Sequence, residues 1–189
     1  MTLKVIVLGM FCLVAMMAAD AQAANPVVTM ETSKGTIEIE LFEDKAPGTV
    51  KNFLGYVDGK FYDGLIFHRV IEDFMIQGGG MAPGMKKKET KDPIKNESTN
   101  NLSNARGTIA MARTNVADSA TSQFFINVKD NSNLDREKAG DGVGYCVFGR
   151  VVKGMDVVDA IRKVETGTSA GQGDVPKDDV VIKSVKVKK

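Results

Sequence analysis

Tryptophan is absent from this sequence, histidine occurs once and cysteine twice. One histidine, His68, with Cys12 and Cys146, cannot assemble the His- and Cys-rich ligand set of a zinc centre, and no spaced acidic loop of the calcium type occurs. No metal and no other cofactor is therefore expected. An excess of either charge sign is lacking too, since 25 Lys and Arg face 24 Asp and Glu for a net +1. Binding to nucleic acid rests mainly on neutralised phosphates, so no nucleic-acid partner is expected, and Lys86–Lys88 reads as a solvated loop tip. There is no G-x-S-x-G elbow around Ser119 or Ser122, which sets aside a Ser-His-Asp hydrolase built on His68. The glycines of "QGGG" (77–80) lack the lysine and the helix of a phosphate loop.

Long apolar runs are also missing. The longest uncharged stretch, Val5–Ala19, falls short of the ~20 residues of a spanning helix. It follows Lys4 and precedes Ala21-Gln22-Ala23. A charged start, a short apolar stretch and an A-x-A end describe a secretory signal. The reading is a signal over 1–23, cleaved after Ala23, and one domain over 24–189 with no stable membrane association. Cys146 would then be the only cysteine of the mature chain, without an intramolecular partner. Set in the apolar "GYCVFG", it is expected to be a buried, inert thiol.

What is present is strand-like. In "VVTMETSKGTIEIELF", Ile37, Ile39 and Leu41 alternate with Glu38 and Glu40, a half-buried strand paired through the turn Ser33-Lys34-Gly35. The period then changes: Val50, Phe53, Leu54 and Val57 share one helix face, with Pro47 at a helix start. Strands are predicted at 65–71 and 74–78, and again at 107–112, 122–128 and 145–152. Between them lies a polar loop of almost 30 residues, a length that points to function or tight surface packing. A second helix is predicted from Met155, Val158 and Ile161, and a last strand in "DVVIKSVKV". About eight strands and two helices, not interleaved, predict a mainly β protein: a closed eight-stranded antiparallel barrel capped by two α-helices.

The segment "FHRVIEDFMIQGGG" (67–80) sets His68 and Arg69 among apolar residues. Strand alternation puts Phe67, Arg69 and Ile71 on one face, and Ile66, His68 and Val70 on the other. His68 is thereby expected to be structural and turned away from Arg69. Met75 and Gln77 share a face, so Arg69 and Gln77 meet if the two strands pair. In "SQFFINV" Gln123 and Phe125 share a face opposite Phe124 and Ile126. An apolar floor with a few donors is the anatomy of a small-ligand or peptide groove. Two plainer readings stand beside it: Phe74, Met75 and Phe125 as core, and Arg69 paired at the surface with Glu72 or Asp73.

Four segments together, "FHRVIEDFMIQGG" (67–79), "GTIAMA" (107–112), "SQFFINV" (122–128) and "VFGRVVKGMDVV" (147–158), resemble the cyclophilins, the peptidyl-prolyl cis-trans isomerases. They most resemble the secreted isomerases of Gram-negative bacteria. The resemblance implies Arg69 as the catalytic arginine, and Gln77 and Gln123 as hydrogen-bonding residues that orient the peptide or Arg69. It implies Phe74, Met75, Phe125 and Leu134 as the proline pocket, and Ala112 with the backbone of Arg113 as contacts to the residue before proline. Tyr145 stands where many relatives have His, and Arg113 where Asn is common. Asn133 takes the place of a frequent Trp that helps to bind cyclosporin-class inhibitors, so weak cyclosporin binding is expected. The implied partners are proline-containing unfolded or flexible polypeptides, the implied state a monomer, and the implied compartment the periplasm. A non-catalytic proline-peptide module on the same barrel is the alternative; a lipocalin-like carrier would need an empty lumen.

Overall fold

The computed structural model describes residues 25–188. The predicted signal at 1–23 lies outside the described residues. In chain order the elements are β1 (Val27–Thr32), β2 (Gly35–Leu41), α1 (Pro47–Asp58), β3 (Ile66–Ile71), β4 (Met75–Ala82), β5 (Lys86–Lys87), β6 (Thr108–Met111), β7 (Phe124–Asn127), β8 (Val147–Lys153), α2 (Met155–Arg162), β9 (Thr166–Ser169), β10 (Gln172–Pro176) and β11 (Ile182–Val187), with short 3-10 turns at Ser98–Asn100 and Ser132–Leu134.

Nine strands form one antiparallel sheet in the order β11-β1-β2-β8-β6-β7-β4-β3, with β5 attached to β4 off that path, which leaves eight on the path. The expected barrel is nearly closed. Its end strands β3 and β11 do not share a ladder; a single bridge, Ile66 to Val181, joins them. Around it Phe67 N–H donates to the Val180 carbonyl at 2.9 Å and Ile182 N–H to the Leu65 carbonyl at 2.7 Å. These bonds satisfy backbone groups that an open edge would leave exposed.

The interior is filled by the inward residues of alternating positions: Ile37, Ile39 and Leu41 of β2, Ile109 and Met111 of β6, Phe124 and Ile126 of β7, and Phe148 of β8. Both helices feed the same cluster. α1 contributes Val50, Phe53 and Val57, and α2 contributes Val158 and Ile161. Phe53 is fully buried against Tyr62 and Phe148, with ring centroids at 5.1 and 5.3 Å, so truncating it to Ala would cost about 3–5 kcal/mol. Side chains occupy the centre, which leaves no lumen for a carrier's ligand.

The helix start shows how the long polar loop is used. Ala46 offers no side-chain cap. Instead Glu97, from the loop, accepts from the N–H groups of Gly48 and Thr49 at 3.1 and 2.7 Å and from the Thr49 hydroxyl at 2.6 Å. An anion at a helix N-terminus satisfies free donors and complements the dipole. Cys146 is buried beside Thr49 Oγ1, and burial pushes its thiol up to about 11, in keeping with an inert side chain.

Two sequence readings need correction. The alternation expected for β3 breaks where the register shifts between Phe67 and Arg69, so that Phe67 pairs with Gly78 and Arg69 with Gln77. The irregularity, of the β-bulge kind, turns Phe67 into the barrel interior with Val70 rather than out with Arg69. The strand predicted at 74–78 is longer than expected: β4 runs on through Gly78, Gly79 and Gly80 to Ala82.

Candidate functional site

Strands that pack a core on one face usually carry polar residues on the other. Here the outer face of β4, β6, β7 and β8 is apolar. Met75, Ala110, Phe125 and Val147 form a second buried cluster, with Phe74, Ala112, Leu134 and Tyr145 packed half-buried against it. Phe74, Met75 and Phe125 are thus not part of the barrel core. The cluster floors an open cavity of about 310 Å³ that is lined by nine of the ten predicted site residues: Arg69, Phe74, Met75, Gln77, Ala112, Arg113, Phe125, Leu134 and Tyr145. The tenth, Gln123, lines an adjoining cleft of about 240 Å³ that shares Gln77, Ala112 and Arg113 with the first.

The polar groups gather at one rim. Arg69 and Gln77 are direct register partners across β3 and β4, and Gln77 pairs on its other side with Phe125. Gln77 Nε2 donates to Gln123 Oε1 at 2.9 Å. The Gln123 side chain lies flat on Gly80, where a Cβ would stand 2.5 Å from its Cγ. The Arg69 guanidinium stands half-exposed at the edge of the apolar floor.

Arg69 pairs with neither Glu72 nor Asp73. Its Nε lies 3.6 Å from Asp174 Oδ2, while Asp73 pairs with Arg162 at 3.3 Å. Asp174 and the cavity-lining Gln172 belong to the β9–β10 hairpin, which sequence reasoning missed. Its short strands are polar and do not alternate; the only signal was the Ala170-Gly171 turn, where both residues take positive φ.

His68 is buried at 1% exposure, and among the described residues its Nδ1 has no hydrogen-bond partner. Burial lowers its pKa, against the opposing influence of the Ile66 backbone and the Gln123 side chain. No cluster of metal-ligating side chains occurs among the described residues.

The 131–135 turn carries Leu134 to the cavity. Asn131 Nδ2 donates to the Phe74 carbonyl at 2.7 Å and to Asn127 Oδ1 at 2.8 Å. Those bonds tie the two apolar walls, Phe74 and Leu134, to one buried polar anchor. Tyr145 reaches the site through its N–H, which donates to the Leu134 carbonyl at 3.0 Å, and its ring meets Phe125 edge-on at 5.7 Å.

Residues 27–187 match the family model for cyclophilin type peptidyl-prolyl cis-trans isomerase. Peptidyl-prolyl cis-trans isomerase B of Escherichia coli is 60% identical over 162 residues, which is 85% of this chain and 99% of that protein. Peptidyl-prolyl cis-trans isomerase A of Dickeya dadantii is 50% identical over 181 residues, 96% of this chain and 94% of the relative. Among solved structures, a cyclophilin type isomerase of Cryptosporidium parvum, crystallised in the presence of the dipeptide Ala-Pro, aligns with a TM-score of 0.74 at 26% identity, covering 86% of this chain and 99% of its own.

Proposed function

Since the chain belongs to the cyclophilin-type peptidyl-prolyl cis-trans isomerases, we propose that its groove turns X-Pro bonds of unfolded or flexible polypeptides with Arg69 aimed at the prolyl nitrogen. The barrier to that rotation is amide resonance, roughly 20 kcal/mol. No covalent bond breaks, so neither a nucleophile nor a metal is required. As the bond twists, the nitrogen loses conjugation and its lone pair becomes available. A donor placed there binds the twisted state better than either planar state, and each ~1.4 kcal/mol of that difference is a factor of ten in rate.

The observation that carries this reading is the position of Arg69, opposite Gln77 at the rim of an apolar pocket floored by Met75 and Phe125. Arginine keeps its charge at any working pH, and a peptide seated on the apolar floor would cover the half-exposed guanidinium and raise the value of that charge. The proline ring takes the Phe74, Met75, Phe125 and Leu134 pocket. Gln77 and Gln123 orient Arg69 and the peptide, and Ala112 with the Arg113 backbone receives the residue before proline. The Cryptosporidium parvum relative was crystallised in the presence of Ala-Pro, a dipeptide of this chemistry.

Arg69→Ala tests the assignment. In a coupled assay on a tetrapeptide with an Ala-Pro bond, kcat/KM should fall by about a hundredfold or more, as when a single transition-state donor is removed. The circular dichroism spectrum should stay the same. A variant that keeps its rate would reject the mechanism; peptide binding without isomerisation in the unaltered protein would favour the non-catalytic module.

We further read residues 1–23 as a cleaved signal and the working compartment as the periplasm, on the charged start, apolar stretch and Ala-Gln-Ala end. N-terminal sequencing of the protein recovered from a periplasmic fraction should begin at Ala24. A monomer with weak cyclosporin binding completes the reading; exposed Asn133 stands where an aromatic wall would hold the drug.

A further inference from the structure

The Arg113 side chain does something its backbone role in the proposed site does not require. As a residue Arg113 lines both the main cavity and the adjoining cleft. Its side chain nevertheless is only 3% exposed. The guanidinium is withdrawn from solvent and spends each of its nitrogens on protein. Nε donates to the Gly144 carbonyl at 3.0 Å, Nη1 to the Thr114 carbonyl at 2.9 Å, and Nη2 to the Asp141 carboxylate. Its plane lies over the Tyr145 ring, with Cζ 4.5 Å from the centroid.

A buried guanidinium costs several kcal/mol of lost hydration unless its donors are met. Here they are met by two loops at once. Asp141 is prepared for the role, since its Oδ1 also accepts from the N–H groups of Val143 and Gly144 at 2.9 and 3.1 Å. Gly144 allows the tight turn: its φ is +67°, and a Cβ there would stand 2.6 Å from the Arg136 nitrogen. Tyr145 is consequently held between the guanidinium on one side and the edge-on Phe125 ring, at 5.7 Å, on the other.

We infer that Arg113 is a positioning residue: its side chain clamps the 139–145 loop to the 112–114 backbone and so sets the Tyr145 wall of the groove. The inference rests on the proposed site and adds to it a division of labour. Arg69 and Gln77 stand on β3 and β4, which the clamp does not touch. Loss of the clamp should therefore weaken peptide binding and leave the rotation step largely in place.

The experiment compares Arg113→Ala and Arg113→Lys with the unaltered protein, using the tetrapeptide with an Ala-Pro bond. For Arg113→Ala, KM should rise about fivefold while kcat changes by less than about twofold, the pattern of lost uniform binding. Arg113→Lys should not restore KM, because an ammonium has no planar fork to stack on Tyr145 and meet three acceptors. The peptide Kd, read by NMR titration, should rise in parallel. A folded Arg113→Ala protein with unchanged KM and Kd overturns the clamp, and so does a loss confined to kcat. Should Arg113→Ala fail to fold, the lysine variant decides: a raised KM supports the clamp and an unaltered KM overturns it. If the unaltered protein shows no isomerase activity, the catalytic reading fails by itself, and the Kd comparison still tests the clamp.

Discussion

Gln77 donates its side-chain amide to Gln123 at 2.9 Å while standing directly opposite Arg69 in the β3–β4 ladder. That bond fixes which way the Gln77 amide points. With its NH2 group committed to Gln123, its oxygen is left to accept from the guanidinium or the peptide. Gln123→Leu removes the acceptor and leaves a half-buried donor unpaired, which costs about 1–3 kcal/mol at the site. We expect kcat/KM for the Ala-Pro peptide to fall by about tenfold and the thermal midpoint to drop by a few degrees. A rate equal to that of the unaltered protein would show that the Gln77 amide needs no such support.

Gly80 supports the same relay from below. An added Cβ would lie 2.5 Å from Gln123 Cγ and 2.7 Å from its Cδ and Nε2, closer than any side chain tolerates. Gly80→Ala should move Gln123 off its bond to Gln77 and reproduce most of the loss seen in Gln123→Leu. The two changes act on one interaction, so they should not add. A double variant that loses the product of the two single factors would place Gly80 outside the relay.

The barrel was legible because alternation is a strong signal where one face is buried. β2, β7 and α1 carry their apolar residues at the spacing that their packing requires. The site was legible for a different reason: its residues lie outside the barrel core yet are apolar, a combination that four motifs in order made specific. What escaped were features set by irregular backbone. The shift at Phe67–Arg69 reversed the expected face of Phe67 and turned it into the barrel interior. The β9–β10 hairpin, with Gln172 and Asp174, is polar and short, and turns through positive φ at Ala170 and Gly171. Neither the pairing of Arg69 with Asp174 nor the burial of the Arg113 guanidinium follows from spacing, since long side chains choose partners across loops distant in sequence.

Asn133 offers a test of the inhibitor reading. It is exposed on the turn Ser132–Leu134, next to the Leu134 wall of the cavity. Asn133→Trp adds a large aromatic face with little conformational entropy to lose. Inhibition by cyclosporin should tighten by about tenfold or more, which is ~1.4 kcal/mol of added contact, while kcat/KM for the peptide stays within about twofold. Equal inhibition of both proteins would remove Asn133 from the explanation of the proposed weak binding.

Acid should lower the protein's stability in two separable steps. The chain has a single histidine, and burial lowers the pKa of His68 below its ordinary 6.5. Between the lowered value and 6.5 the unfolded chain binds a proton that the folded chain does not, so stability falls as pH drops through that window. The second step belongs to carboxylates. Burial pushes the Asp135 carboxyl up, but bonds from the Asn104 backbone and the Ser103 and Asn104 side chains outweigh it and hold it below its usual 3.8. Hydrogen bonds from Arg113 to Asp141 and from Arg106 to Asp159 lower those groups too. A depressed carboxyl contributes stability that is present above its unfolded value and lost as pH falls through the folded one. Urea midpoints measured from pH 8 to pH 3 should therefore fall first as pH drops below about 6.5 and again below about 4. His68→Gln should abolish the first fall and leave the second. If that variant shows the same slope just below pH 6.5, the neutral state of His68 is not what the fold is protecting.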